Sequence, residues 1–148
     1  MTRRVGYQLA GAGETGHHGA DRHCRDIART NSKTFYLSSL FLSAEKRRAV
    51  WAVYAFCRTA DDIADGVTPA AERLAAIDDW ERALLAAYDG SAVDRIMVAL
   101  HDAIGRFAIP LQPAIDLLRG ARLDITIRRY ATYDDLREYC YLVASTVG

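Results

Sequence analysis

The apolar run Ala49-Val50-Trp51-Ala52-Val53-Tyr54-Ala55-Phe56-Cys57 passes directly into Arg58-Thr59-Ala60-Asp61-Asp62-Ile63-Ala64-Asp65, which sets three carboxylates against one of the most apolar stretches of the chain. Charges in such a place must be paired, solvated at the end of an element, or bound to a cation, because an uncompensated charge is costly to take out of water. On a helix, Tyr54, Arg58, Asp61 and Asp65 fall at i, i+4, i+7 and i+11 and project from one stripe. That stripe suits a metal and a phosphate. It equally suits a solvated helix end in which Arg58 pairs with Asp61 or Asp62.

The two readings call for different chemistry. Asp61 and Asp65, one turn apart, can offer oxygens to a single hard cation. Mg²⁺ fits best, with Mn²⁺ as a substitute, since Mg²⁺ is usually held by one or two carboxylates together with waters and substrate phosphates. Arg58 is a permanent planar cation able to grip two phosphate oxygens. Spacing alone leaves the choice open, because D-x-x-x-D is common on helices.

Periodicity predicts helices throughout. Residues 1 to about 20 contain five glycines and His17-His18 without apolar periodicity, and read as a flexible leader. From Asp21 the pattern is helical. Ser43 with Glu45 in the first turn opens a helix expected to run through Ala64 to a stop at Gly66. Pro69 opens the next, which Asp89-Gly90 closes. Ser91 is the expected cap of a helix to about Phe107, Pro110 and Pro113 mark entry to one ending near Gly120, and Thr132 with Asp135 approximates a capping box. The β-branched run Ile125-Thr126-Ile127 is too short to argue for a sheet. The chain is therefore expected to be all-α, with five to seven helices around a cavity.

Composition narrows the function. With 51% hydrophobic residues, the 148-residue chain can bury a substantial core. Its 19 basic and 19 acidic residues cancel, so nothing in its overall charge attracts nucleic acid or anionic lipid. Cys24, Cys57 and Cys140 are odd in number and widely spaced, which fits reduced thiols in the cytoplasm better than zinc or disulfides. The glycines and Gln8 interrupt any export signal near the N-terminus, and no uncharged run is long enough to span a membrane.

Asn31-Ser32-Lys33-Thr34-Phe35, Arg47 to Arg58, the DDIAD segment, and Tyr139-Cys140-Tyr141-Leu142-Val143-Ala144-Ser145-Thr146-Val147-Gly148 together resemble the squalene/phytoene synthase family, in order, over residues 21 to 148. The resemblance implies an isoprenoid-synthase-like helical fold. It also implies a head-to-head prenyltransferase that joins two allylic isoprenoid diphosphates, with geranylgeranyl diphosphate the expected substrate in carotenoid biosynthesis. A squalene or dehydrosqualene synthase using farnesyl diphosphate is the related alternative, and NADPH is implied only if squalene is formed.

By the same resemblance, Asp61 and Asp65 are metal ligands and Arg58 assists them. Asn31, Ser32, Lys33 and Thr34 match a diphosphate-contacting segment, although Asn31 stands where the family often has histidine. Phe35, Tyr54, Val143, Ala144 and Val147 match positions lining the substrate channel, and Tyr139 a tyrosine whose ring faces passing carbocations. Taken alone, the 139/143/147 spacing fits helix packing as well. Asp124, at the end of Leu118-Arg119-Gly120-Ala121-Arg122-Leu123-Asp124, is expected to hold helices together rather than bind metal.

Family members carry a second aspartate-rich motif beyond the tyrosine segment, and Asp78-Asp79 and Asp134-Asp135 do not reproduce it. The expectation is an N-terminal half of the fold, inactive alone, with an exposed apolar face around Val53, Phe56, Val143 and Val147. A complementing chain or a homo-oligomer would then complete the site, and greasy substrates make peripheral membrane contact expected. A non-catalytic remnant or binding subunit is the competing reading.

Overall fold

The computed structural model describes residues 14–126 and 132–144. Among them every regular element is helical, in the order α1 (Glu14–Asn31), α2 (Lys33–Ser39), α3 (Ala44–Ala64), α4 (Ala70–Asp89), α5 (Arg95–Phe107), α6 (Leu111–Thr126) and α7 (Tyr133–Ala144). The all-α expectation holds. Helix α1 begins at Glu14, inside the stretch expected to be a leader, while residues 1–13 lie outside the described residues. Ala20, Cys24 and Ala28 recur every fourth position and are all buried, so one face of α1 is core from its second turn onward.

Helices α1, α3 and α5 pack on one another, and α4 and α6 pack together beside α3. Small side chains dominate the first group: Ala20, Ala28, Ala52, Ala55, Ala60, Ala99 and Ala103 are all buried. Alanine at a helix contact lets the backbones approach closely. Aromatic hydrogen bonds then fix the layers. The indole Nε1 of Trp51 donates to Ser39 Oγ at 2.9 Å, and that hydroxyl donates to the Tyr36 carbonyl at 2.6 Å, pinning α2 to α3. Phe56 stacks on Trp80 with centroids 5.9 Å apart, and the Trp80 indole donates to the Phe56 carbonyl at 3.4 Å, pinning α4 to α3.

Phe56 is thus core, correcting its placement on an exposed apolar face: it is 3% exposed, whereas Val53 remains 37% exposed. Phe56→Ala should lower stability by about 3–5 kcal/mol, the usual result of truncating a buried aromatic. A urea titration followed by circular dichroism reads this as a lowered midpoint at unchanged slope. A loss below about 1 kcal/mol would mean that the α3–α4 contact carries little of the core energy.

Several boundaries differ from the sequence reading for local reasons. Ser43 occupies the N-cap of α3, but its side chain makes no capping bond. Ser91 does not cap α5. Its backbone N–H instead donates to Asp89 Oδ1 at 2.9 Å around Gly90, whose φ of +85° suits the turn, and Asp94 caps α5 by accepting from the Ile96 and Met97 amides at 2.8 and 3.3 Å. Gly120 is buried within α6 rather than ending it, so the helix continues through Ile125-Thr126, with Ile127 outside the described residues. The Thr132/Asp135 capping box forms as expected, with reciprocal bonds of 3.1 Å.

Candidate active site on helix α3

Helix α3 is the platform of the site. Ala49, Val50, Val53, Tyr54 and Cys57 recur at intervals of three and four and form the floor of an open apolar groove of about 510 Å³. Phe35 of α2 walls one side, while Leu42, Phe107 and Ile109 close it elsewhere and Lys46 stands at its edge. Of these residues the sequence points only to Phe35 and Tyr54 as site residues; Leu42, Lys46, Ala49, Val50, Val53, Cys57, Phe107 and Ile109 are added by the structure. The apolar repeat on α3 was a usable signal for the floor, but the approach of Phe107 and Ile109 from the end of α5 is tertiary.

Tyr54 belongs both to this floor and to the stripe that continues through Arg58, Asp61 and Asp65. The rings of Phe35 and Tyr54 stack with centroids 4.6 Å apart and an interplanar angle of 24°. Ser32 caps α2, its hydroxyl oxygen accepting from the Phe35 amide at 3.3 Å, which sets where that ring starts. The contact therefore brings the Asn31–Thr34 junction beside the Tyr54 end of the stripe. Lys33 and Thr34 are exposed there, and Asn31 Nδ2 donates to the Ile27 carbonyl at 2.9 Å.

The charges divide unevenly. Arg58 pairs with Asp62 at 2.7 Å, so the solvated helix-end pair anticipated for this stripe is present. Its Nε is nonetheless buried and has no hydrogen-bond partner among the described residues. Asp61 and Asp65 make no ion pair among the described residues. Burial pushes the Asp61 carboxyl above its ordinary range, the Asp65 charge raises it further, Arg58 pulls it back, and Asp62 and Asp124 add smaller upward pushes. Burial, with a contribution from Asp61, pushes the Cys57 thiol up to about 11, so it is a neutral part of the floor and not a nucleophile.

Two neighbouring carboxylates that repel each other, neither of them ion-paired among the described residues, are a donor set that suits a hard divalent ion. Among the described residues no group of three or more His, Cys, Asp or Glu side chains could hold a metal. A hard divalent ion held by these two side chains would take its other ligands from water and phosphate oxygens.

Other expected residues are placed differently. Tyr139 is half-buried on α7, which packs against α6, and neither it nor Ala144 lines the groove. The Val143 side chain and Val147 lie outside the described residues. Asp124 is exposed on α6 and makes no ion pair among the described residues. The helix tie expected of it belongs to Arg122, which reaches from α6 to Asp78 at 2.9 Å and to Glu81, both on α4.

Known proteins resemble this chain in sequence and in fold. The chain is 42% identical to the 15-cis-phytoene synthase of Synechococcus elongatus over 129 residues, covering 87% of this chain and 42% of that protein. It is 41% identical to the phytoene synthase of Arthrospira platensis over 125 residues, covering 84% and 40%. A squalene synthase from Alicyclobacillus acidocaldarius superposes with a TM-score of 0.81 at 32% identity, over 91% of this chain and 51% of that one. A crystallised dehydrosqualene synthase gives 0.78 at 36% identity, over 90% and 46%. The chain thus spans about half the length of the proteins it matches, or somewhat less. The squalene/phytoene synthase family model matches residues 28–148, and the chain belongs to that family.

Proposed function

We propose that this chain supplies one metal-dependent diphosphate site, and the channel floor leading to it, of a phytoene synthase-type prenyltransferase in carotenoid biosynthesis. The observation that carries this reading is that Tyr54 is shared by an apolar groove and by a stripe ending in two carboxylates that make no ion pair among the described residues. A prenyl diphosphate is an apolar chain ending in a polyanion, and it needs those two surfaces to be continuous. Mg²⁺ bound at Asp61 and Asp65 would neutralise charge on the departing diphosphate.

Arg58 would hold diphosphate oxygens by its guanidinium, and Ser32, Lys33, Thr34 and Asn31 would approach them from the α1–α2 junction. The groove floor would give an allylic cation an apolar surface, and the faces of the stacked Phe35 and Tyr54 rings carry favourable negative charge density. We assign Tyr139, Val143, Ala144 and Val147 to the channel wall, as the family pattern implies. The likeness to dehydrosqualene and squalene synthases supports a second reading with farnesyl diphosphate, NADPH being needed only for squalene. In either case the reaction would also draw on what the longer relatives carry beyond the matched region. We place the protein in the cytoplasm, with peripheral membrane contact.

Calorimetric titration of the chain with geranylgeranyl diphosphate tests the site. Binding should require Mg²⁺, should be abolished by a chelator, and should weaken at least about tenfold for inorganic diphosphate, which forgoes the groove. Binding indifferent to the metal would remove Asp61 and Asp65 from the ligand set. Equal binding of inorganic diphosphate would remove the groove.

A further inference from the structure

The loop between α2 and α3 turns its most apolar residues outward. Phe41 is 94% exposed and Leu37 58%, with Leu40 and Leu42 exposed beside them. The segment is nevertheless held: the Leu40, Phe41 and Leu42 amides donate to the Leu37, Ser38 and Ser39 carbonyls at 3.2, 3.3 and 3.0 Å. Ser39 beneath them is buried and anchored by the Trp51 indole. A fixed phenylalanine presented to water contributes nothing to the core and is unfavourable unless another apolar phase receives it.

Cations follow at once, in the first turns of α3. Lys46 and Arg47 have no carboxylate within ion-pair distance among the described residues, and Arg47 lies 6.0 Å from the Trp51 ring centroid. Arg48 is 3.5 Å from Asp21, and the nearby Glu45 is engaged by Arg106 at 3.2 Å. In a chain whose formal net charge is zero, two unpaired cations beside an exposed apolar wedge are a local arrangement and not a general basicity. Leu42 and Lys46 also line the groove, so the wedge is continuous with the groove mouth.

We propose that the Leu40-Phe41-Leu42 loop inserts into the interface of an anionic lipid bilayer while Lys46 and Arg47 meet the headgroup phosphates. Stable attachment to a bilayer needs two signals, and an apolar wedge with adjacent cations supplies both. A second protein chain would also cover Phe41, but it would have no need of uncompensated cations at the rim. No helix among the described residues is long and apolar enough to cross a membrane, so contact through this loop is peripheral. A prenyl chain could then pass from hydrocarbon into the groove without crossing water. That entry route rests on the prenyl diphosphate reading, whereas the attachment itself does not.

The test uses no substrate. The full chain is sedimented with vesicles of phosphatidylglycerol and phosphatidylcholine, or of phosphatidylcholine alone, and should bind the anionic vesicles preferentially. Lys46→Gln with Arg47→Gln should weaken that binding by roughly tenfold or more, and Phe41→Ser by roughly tenfold. Phe41→Trp, which keeps an aromatic ring, should show blue-shifted emission quenched by brominated lipid only with anionic vesicles. Wild-type binding unaffected by Phe41→Ser, absence of binding to anionic vesicles, or an unshifted Phe41→Trp emission would each overturn the proposal. Loss of self-association in Phe41→Ser with vesicle binding intact would overturn it too, by assigning the loop to a protein interface.

Discussion

Asp61→Asn should lower Mg²⁺-dependent affinity for a prenyl diphosphate by at least about 10–100-fold, the loss that follows even when a group merely supporting a metal ligand is removed. Helical content should not change, because Asp61 makes no ion pair that the fold depends on and asparagine nearly conserves its shape. Asp65→Asn should give the same loss of affinity. The Asp61 change has a second, opposite signature. Burial first, and then the Asp65 charge, raise the Asp61 carboxyl above its ordinary value, so the native state holds that proton more tightly than the unfolded chain does. Native stability therefore falls as pH rises from the ordinary aspartate range through the raised native value, and stays lower above it.

Removing the charge lifts that penalty, so Asp61→Asn should melt slightly higher than wild type at neutral pH and no higher in acid. Protons also compete with the metal, so wild-type affinity should fail on acidification at a pH above the ordinary aspartate range. Calorimetric titration across pH, paired with thermal melts, reads both effects. A variant that binds as wild type does, or that loses stability at neutral pH, would return the DDIAD segment to a helix end stabilised by the Arg58–Asp62 pair.

The elements that sequence reading placed correctly are those whose signals are local. The Thr132/Asp135 cap, the Gly90 stop and the long helix from Ala44 each follow from residues within a turn or two of one another. It went wrong where a distant contact outweighs a local cue. Gly120 reads as a stop but lies buried inside α6, and Phe56 reads as part of an apolar face that Trp80, 24 positions away, covers. Ser91 lost its cap to Asp94 because Asp89 engages it first.

The candidate site shows the same division. Helical phase put Tyr54, Arg58, Asp61 and Asp65 on one stripe, and the structure keeps them there. Which carboxylate Arg58 chooses is a matter of side-chain rotamer and solvent, and it took Asp62. The groove walls from Phe107 and Ile109 depend on how α5 ends, at Ala108 with a positive φ of 50°, which no pattern in the chain announces.

The 148-residue chain assayed by itself should bind a prenyl diphosphate and yet form no phytoene or dehydrosqualene. Head-to-head joining must hold two prenyl chains and ionise a diphosphate twice, whereas the apolar groove that leads to Asp61 and Asp65 measures about 510 Å³. A cavity of that size suits a single ligand of this class. The two cyanobacterial phytoene synthases that resemble this chain are more than twice as long as the region matched in them, which covers 42% and 40% of their lengths.

Purified chain with Mg²⁺ and geranylgeranyl or farnesyl diphosphate, analysed by mass-detected chromatography, should show substrate only. Adding the part of the Synechococcus protein that this chain does not match should restore product, and Asp61→Asn should abolish it again. Product from a monodisperse monomer would mean that one carboxylate pair serves both ionisations. Product confined to a dimeric fraction would place the second site on another copy of the same stripe.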